Sequence, residues 1–113
     1  MAVTTSKIEF NVSLDENQIP EKILWTAEDN KIIDAETNAI LLSVWDSKNR
    51  ETLKMDLWTK EMPVHDMKVF FYQTLKSLAD TFQRATNDEK MSATMHDFCD
   101  FFAEKQGLKS KED

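Results

Sequence analysis

The sequence predicts an α+β fold in a single domain, 1–113: a sheet of about four antiparallel strands, then a two-helix C-terminal hairpin packed on one face of it. Three observations predict this. Between 6 and 58 apolar residues alternate with polar ones in short runs, the period of half-buried strands. From Pro63 the apolar spacing lengthens to three and four, the period of an amphipathic helix. Strands gathered ahead of helices imply segregated layers, with the helices on one side of an antiparallel sheet.

The first strand is read over 6–14. There Ile8, Phe10, Val12 and Leu14 share one face, and Lys7, Glu9, Asn11 and Ser13 the other. Asp15, Glu16 and Asn17 break the alternation, and Pro20 precedes a second strand over 22–27, with Ile23 and Trp25 on one face. Residues 28–31 read as a turn or loop. Residues 34–38 fit either a short helical turn or a loop. The dense apolar run 40–45 reads as a strand, and its two partly apolar faces predict a central place in the sheet; a helix starting at Asp34 is the rival reading. Asp46, Ser47, Lys48 and Asn49 carry turn chemistry. Over 52–58, Leu53, Met55 and Leu57 alternate with Thr52, Lys54 and Asp56, so the last two runs form a hairpin.

The helices follow over 63–106. Pro63 suits a first turn, where an amide hydrogen has no intrahelical partner. Met67, Phe71, Leu75, Leu78 and Phe82 form one stripe. Thr86 to Glu89 fits a capping box. Met91, Met95, Phe98 and Phe102 form the second stripe, widened by Phe101 as Phe70 widens the first. Gly107 past the end, with Lys105 nearby, is a stop signal. Phe71, Leu75, Phe98 and Phe102 are expected to be buried together with Phe10, Leu53 and Leu57. Residues 107–113 form a charged tail expected to fray.

Composition narrows the function. The net charge is −7, from 21 acidic and 14 basic residues. Such a surface argues against nucleic acid and anionic membranes as partners. No apolar run approaches the about 20 residues of a membrane span, and no basic start followed by an apolar run marks a signal peptide. One cysteine, Cys99, makes no intrachain disulfide, which fits a cytoplasmic setting. One glycine and two prolines in the whole chain exclude phosphate loops, dinucleotide fingerprints and nucleophile elbows.

Few groups invite a chemical reading. His96, Asp100 and Glu104 share a helix face, as metal ligands or as solvated charges; the solvated face is favoured because nothing encloses them. His65 and Asp66 open the first helix, where a hydrolytic pair needs a nucleophile such as Ser43 or Ser47 held against it. Cys99 flanks the second stripe and reads as an inert buried thiol. No catalytic residue, metal or cofactor is expected. Trp45 and Trp58, at the ends of the hairpin strands, either cap the core edge or form an outward aromatic patch, a common binding anchor. With Met62 and His65 in the strand-to-helix loop, they are the candidate partner contacts.

A resemblance adds a process. Leu42 to Ser47, Glu51 to Leu53, Asp56 to Lys60, Met62 to Val64, Met67 to Phe71, Gln73 to Leu75, Ala79 to Phe82, Arg84 to Met91 and Asp97 to Asp100 together resemble the gliding-motility protein GldC family of Bacteroidetes. The resemblance implies a small cytoplasmic accessory protein of the gliding machinery, which is shared with the type IX secretion system. It carries over no catalytic residue. The expected role is a non-catalytic protein-interaction module whose partners are other gliding-machinery proteins or a second copy of the chain in a homodimer. The alternative is a small-ligand-binding domain or enzyme with a cavity between sheet and helices.

Overall fold

The computed structural model describes residues 4–108; residues 1–3 and the tail from Lys109 lie outside the described residues. The described chain has five strands, β1 (Ile8–Leu14), β2 (Pro20–Ala27), β3 (Ile32–Thr37), β4 (Ala39–Asp46) and β5 (Glu51–Trp58), then two long helices, α1 (Val64–Thr86) and α2 (Glu89–Lys105). Two compact units divide it, 1–62 and 63–113.

In the first unit the strands form two antiparallel sheets, β1-β2-β3 and β4-β5. The expected single sheet of about four strands is therefore corrected, and so is the central place of 40–45, since β4 pairs with β5 alone. The cause is a connection one residue long. Only Asn38 separates β3 from β4, and a chain reversal needs at least a two-residue loop. β4 cannot fold back onto β3, so it opens a second sheet.

The extra strand, β3, occupies the segment read as a helical turn or loop. Its register with β2 runs Trp25 to Ala35 and Ala27 to Ile32, so one additional residue sits in β3. Asp34 takes up the bulge with φ 47°, and its amide donates to Thr26 Oγ1 at 3.0 Å. A bulge of this kind cancels the alternation by which strands are recognised. β1 and β2 keep the expected faces: Phe10 lies opposite Trp25, stacked at 6.0 Å, and Val12 opposite Ile23.

Polar contacts tie the ends of this unit together. Asp15 Oδ1 accepts from the amides of Asn17 and Ile19 at 2.8 and 3.0 Å, closing the β1–β2 loop. Its other oxygen meets Lys60 Nζ at 2.7 Å, just beyond β5. Buried Thr59 donates its amide to Asn38 O at 2.9 Å and its hydroxyl to Asn38 Oδ1 at 3.3 Å. Ile23, Ala27 and Ile40 are the buried apolar residues here. Phe10 and Leu53, expected in the core, are exposed.

In the second unit, α1 and α2 form an antiparallel hairpin. Asn87 takes the left-handed conformation, φ 59°, and its amide donates to Gln83 O at 2.8 Å. The expected capping box is not formed. Asp88 is the N-cap, accepting from Met91 N at 3.0 Å, while Thr86 turns back to donate to Phe82 O at 2.8 Å. The stop at Gly107 is as read. With φ 70° it lets its own amide reach Glu104 O at 3.2 Å and that of Leu108 reach Ala103 O at 2.8 Å, the paired bonds of a Schellman ending.

The seam between the helices differs from the expected one. Ala79, Ser92, Cys99 and Ala103 are buried, and Ser92 Oγ donates to Ala79 O at 3.0 Å. Small residues bring the backbones close. Phe71 and Phe98, expected in the core, remain 41% and 51% exposed; Leu75 and Phe102 are half-buried.

Two outcomes are expected. The pair with Lys60, followed by the Ile19 amide, holds the Asp15 carboxyl below its ordinary value of 3.8. A depressed carboxylate stabilises above its unfolded value and loses that contribution as pH falls through its folded value. Unfolding titrations should therefore find Asp15→Asn less stable than the parent at neutral pH, with the difference closing in acid below pH 3.8. In the seam, Ala79→Leu should cost about 1–3 kcal/mol by overpacking. The exposed Ala93→Leu on the same hairpin should stay within about 0.5 kcal/mol in the same denaturation assay.

Candidate interaction surface

The seam decides where the large side chains go. From Ala79 on α1 and Ser92 on α2, each residue turns about 100° around its helix. Counted this way, Val64, Met67, Phe71, Leu75, Leu78 and Phe82 fall about 240–320° from the seam, as do Met91, Met95, Phe98 and Phe102 on α2. On antiparallel helices the same sector looks out on the same side. The geometry agrees, because Leu75 and Leu78 line one shallow groove with Thr94, Met95, Phe98 and Cys99, about 260 Å³ in volume. The hairpin thus presents an apolar plate on which Val64, Phe71, Leu78, Met91 and Phe98 are exposed.

The acidic side chains take the other side. Asp66, Asp80, Glu89, Asp97, Asp100 and Glu104 all fall about 60–140° from the seam. His96 Nε2 meets Asp80 Oδ1 there at 2.8 Å, so this histidine bridges the two helices. Asp100 and Glu104 are exposed. Among the described residues no three His, Cys, Asp or Glu side chains are placed to hold a metal ion. Sequence reasoning found both stripes but assigned them to the core; the small residues at 79, 92, 99 and 103 were the signal that could have separated seam from plate.

Cys99 is buried at the floor of the groove, as expected, and burial followed by the Asp100 charge pushes its thiol up. A raised thiol holds little of the reactive thiolate.

The other candidate contacts are placed as follows. Trp45 and Trp58 are 57% and 54% exposed. Trp45 lies opposite Thr52 and Trp58 opposite Ala39, so they share a face of the β4-β5 hairpin but stand at opposite ends of it. Six residue steps separate them, about 20 Å, with the Lys54–Asp56 ion pair between. They are two anchors and not one aromatic pair. The opposite face carries Ile40, Leu42 and Val44 against Leu57, Met55 and Leu53. Burial on it falls from Ile40 at the base to exposed Val44 and Leu53 near the tip. Met62, half-buried, donates its amide to Thr59 O at 3.1 Å, and His65 is exposed in the first turn of α1. Ser43 and Ser47 are exposed in the first unit, whereas His65 and Asp66 belong to the second. No helix among the described residues is long and apolar enough to cross a membrane.

Comparison with known proteins adds one match. The family model described as gliding motility-associated protein GldC-like matches residues 20–108. No curated protein and no solved structure matches the chain.

The exposure of the tryptophans has a direct optical consequence. Emission from Trp45 and Trp58 should be readily quenched by acrylamide, and half-buried Trp25 less so. The double variant Trp45→Phe, Trp58→Phe should keep a smaller, less quenchable emission; unchanged quenching would place both rings out of solvent.

Proposed function

The chain belongs to the GldC-like family, and from that premise we propose that it is a cytoplasmic accessory protein of the bacterial gliding-motility machinery, acting as a non-catalytic protein-interaction module. The observation that carries this reading is the sorting of the helical hairpin into an apolar plate and an acidic back. Apolar surface of this breadth, rich in phenylalanine and methionine, is the composition of an interface core. The exposed apolar end of the β4-β5 hairpin and the two outward tryptophans offer further contact area on the first unit.

The polar groups with displaced protonation also support a structural role. Asp15 is held down and Lys60 pushed up by each other, and Cys99 is pushed up by burial. These shifts follow from a surface ion pair and a packed helix seam. The proposed partners are other proteins of the gliding machinery or a second copy of this chain.

The test is complementation of gliding in cells that lack this protein. Chains carrying Leu78→Glu with Phe98→Glu, expressed at parental level and with parental helix content, should fail to restore colony spreading. Ala93→Ser, on the acidic side, should restore it. Full restoration by the plate variant would remove the plate from the protein's function.

A further inference from the structure

The helical plate raises the question of what covers it. We propose that its occupant is the plate of a second copy of the chain, the two hairpins packing face to face about a twofold axis. The inference rests on the plate being an interaction face and goes beyond that reading by naming the partner.

Three features of the plate point to a copy. The first is charge. Each chain carries −7, so two copies repel unless their contact is free of acid. The plate meets that condition, because every acidic side chain of α1 and α2 is turned to the opposite side. A partner held through basic residues would instead find its complement on the acidic back. The second is shape. Two rounded helices flank a groove lined by Leu75, Leu78, Met95 and Phe98, and a twofold operation sets the ridges of one hairpin into the groove of the other. The apolar steps of three and four on both helices suit the shallow crossing of four-helix packing, and a twofold contact requires one patch to be its own complement. The third is size. The stripe on α1 runs about 27 Å and that on α2 about 17 Å, each about 10 Å wide, a projected footprint on the order of 400–500 Å². Corrugation by Phe71, Met91 and Phe98 raises the accessible area towards the roughly 800 Å² per partner of a standard interface.

Sedimentation of the full chain over a wide concentration range tests this. The expected result is a monomer–dimer equilibrium that tightens as salt is raised, since salt screens the repulsion between acidic copies and leaves apolar contact intact. Phe98→Glu should weaken association by about tenfold or more. Phe71→Lys, a second exposed position bearing the opposite charge, should do the same, with circular dichroism confirming that both variants fold. Thr94→Cys places a thiol in the groove, and its reaction with a disulfide reagent should slow as dimer forms. A monomer at every concentration overturns the proposal, whether the thiol reacts fast, leaving the plate bare, or slowly, its own chain covering it. A dimer that survives both substitutions overturns it too, by placing the contact elsewhere. If the chain is monomeric and the plate variants still abolish gliding, the copy is excluded while the plate keeps its role for another protein.

Discussion

The hydrogen bond from Ser92 Oγ to Ala79 O, 3.0 Å long and buried, marks the constraint from which the helical unit follows. Two helices approach closely enough for a serine to reach the facing backbone only where neither carries a large side chain. Ala79, Ser92, Cys99 and Ala103 meet that requirement. Once they form the seam, rotation along each helix is fixed, and the remaining residues have no choice of direction. The phenylalanines, leucines and methionines one quarter-turn away face outward together. The carboxylates on the other flank do the same. The division into apolar plate and acidic back is a consequence of which residues are small.

This explains what the sequence disclosed and what it concealed. The helices were legible because apolar spacing is a local property, and their ends because Pro63 and Gly107 act locally. Their shared seam was not, since hydrophobic size suggests burial, and here Phe71, Phe98 and Phe101 are exposed while alanine, serine and cysteine are buried. β3 escaped for a different reason. Its bulge at Asp34 removes the period-two signal, although Ile32, Ala35 and Thr37 are partly buried. The division into two sheets was in fact available, because one residue between β3 and β4 forbids a hairpin, but that rule can be applied only after β3 is known to be a strand. Of the candidate contacts, the tryptophans were found as residues and their separation was not, because the pairing of Ala39 with Trp58 sets them at opposite ends.

In the strand unit the fully buried core is small. Only three apolar residues of the described strands are buried, and the loops close through Asp15 and Thr59. Asp15 serves two purposes at once. One oxygen satisfies amides of its own loop, and the other holds Lys60, 45 positions further on in sequence. A long-range ion pair on an exposed surface contributes little by itself. Here the carboxylate is already oriented by its loop, so less side-chain entropy is lost when the lysine arrives.

The acidic excess and the apolar plate have to be understood together. A net charge of −7 keeps a small protein dispersed, and it does so most strongly against its own copies. Apolar surface favours the opposite outcome. Spread evenly over the helices, the two would cancel, leaving a weakly sticky and weakly charged molecule without a preferred contact. Sorted to opposite sides, they act in sequence. Repulsion rejects approach from the acidic back, and burial rewards approach on the plate. In the proposed dimer, orientation would be selected by charge and retained by apolar contact, so that a chain with few fully buried residues could still pair in one specific way.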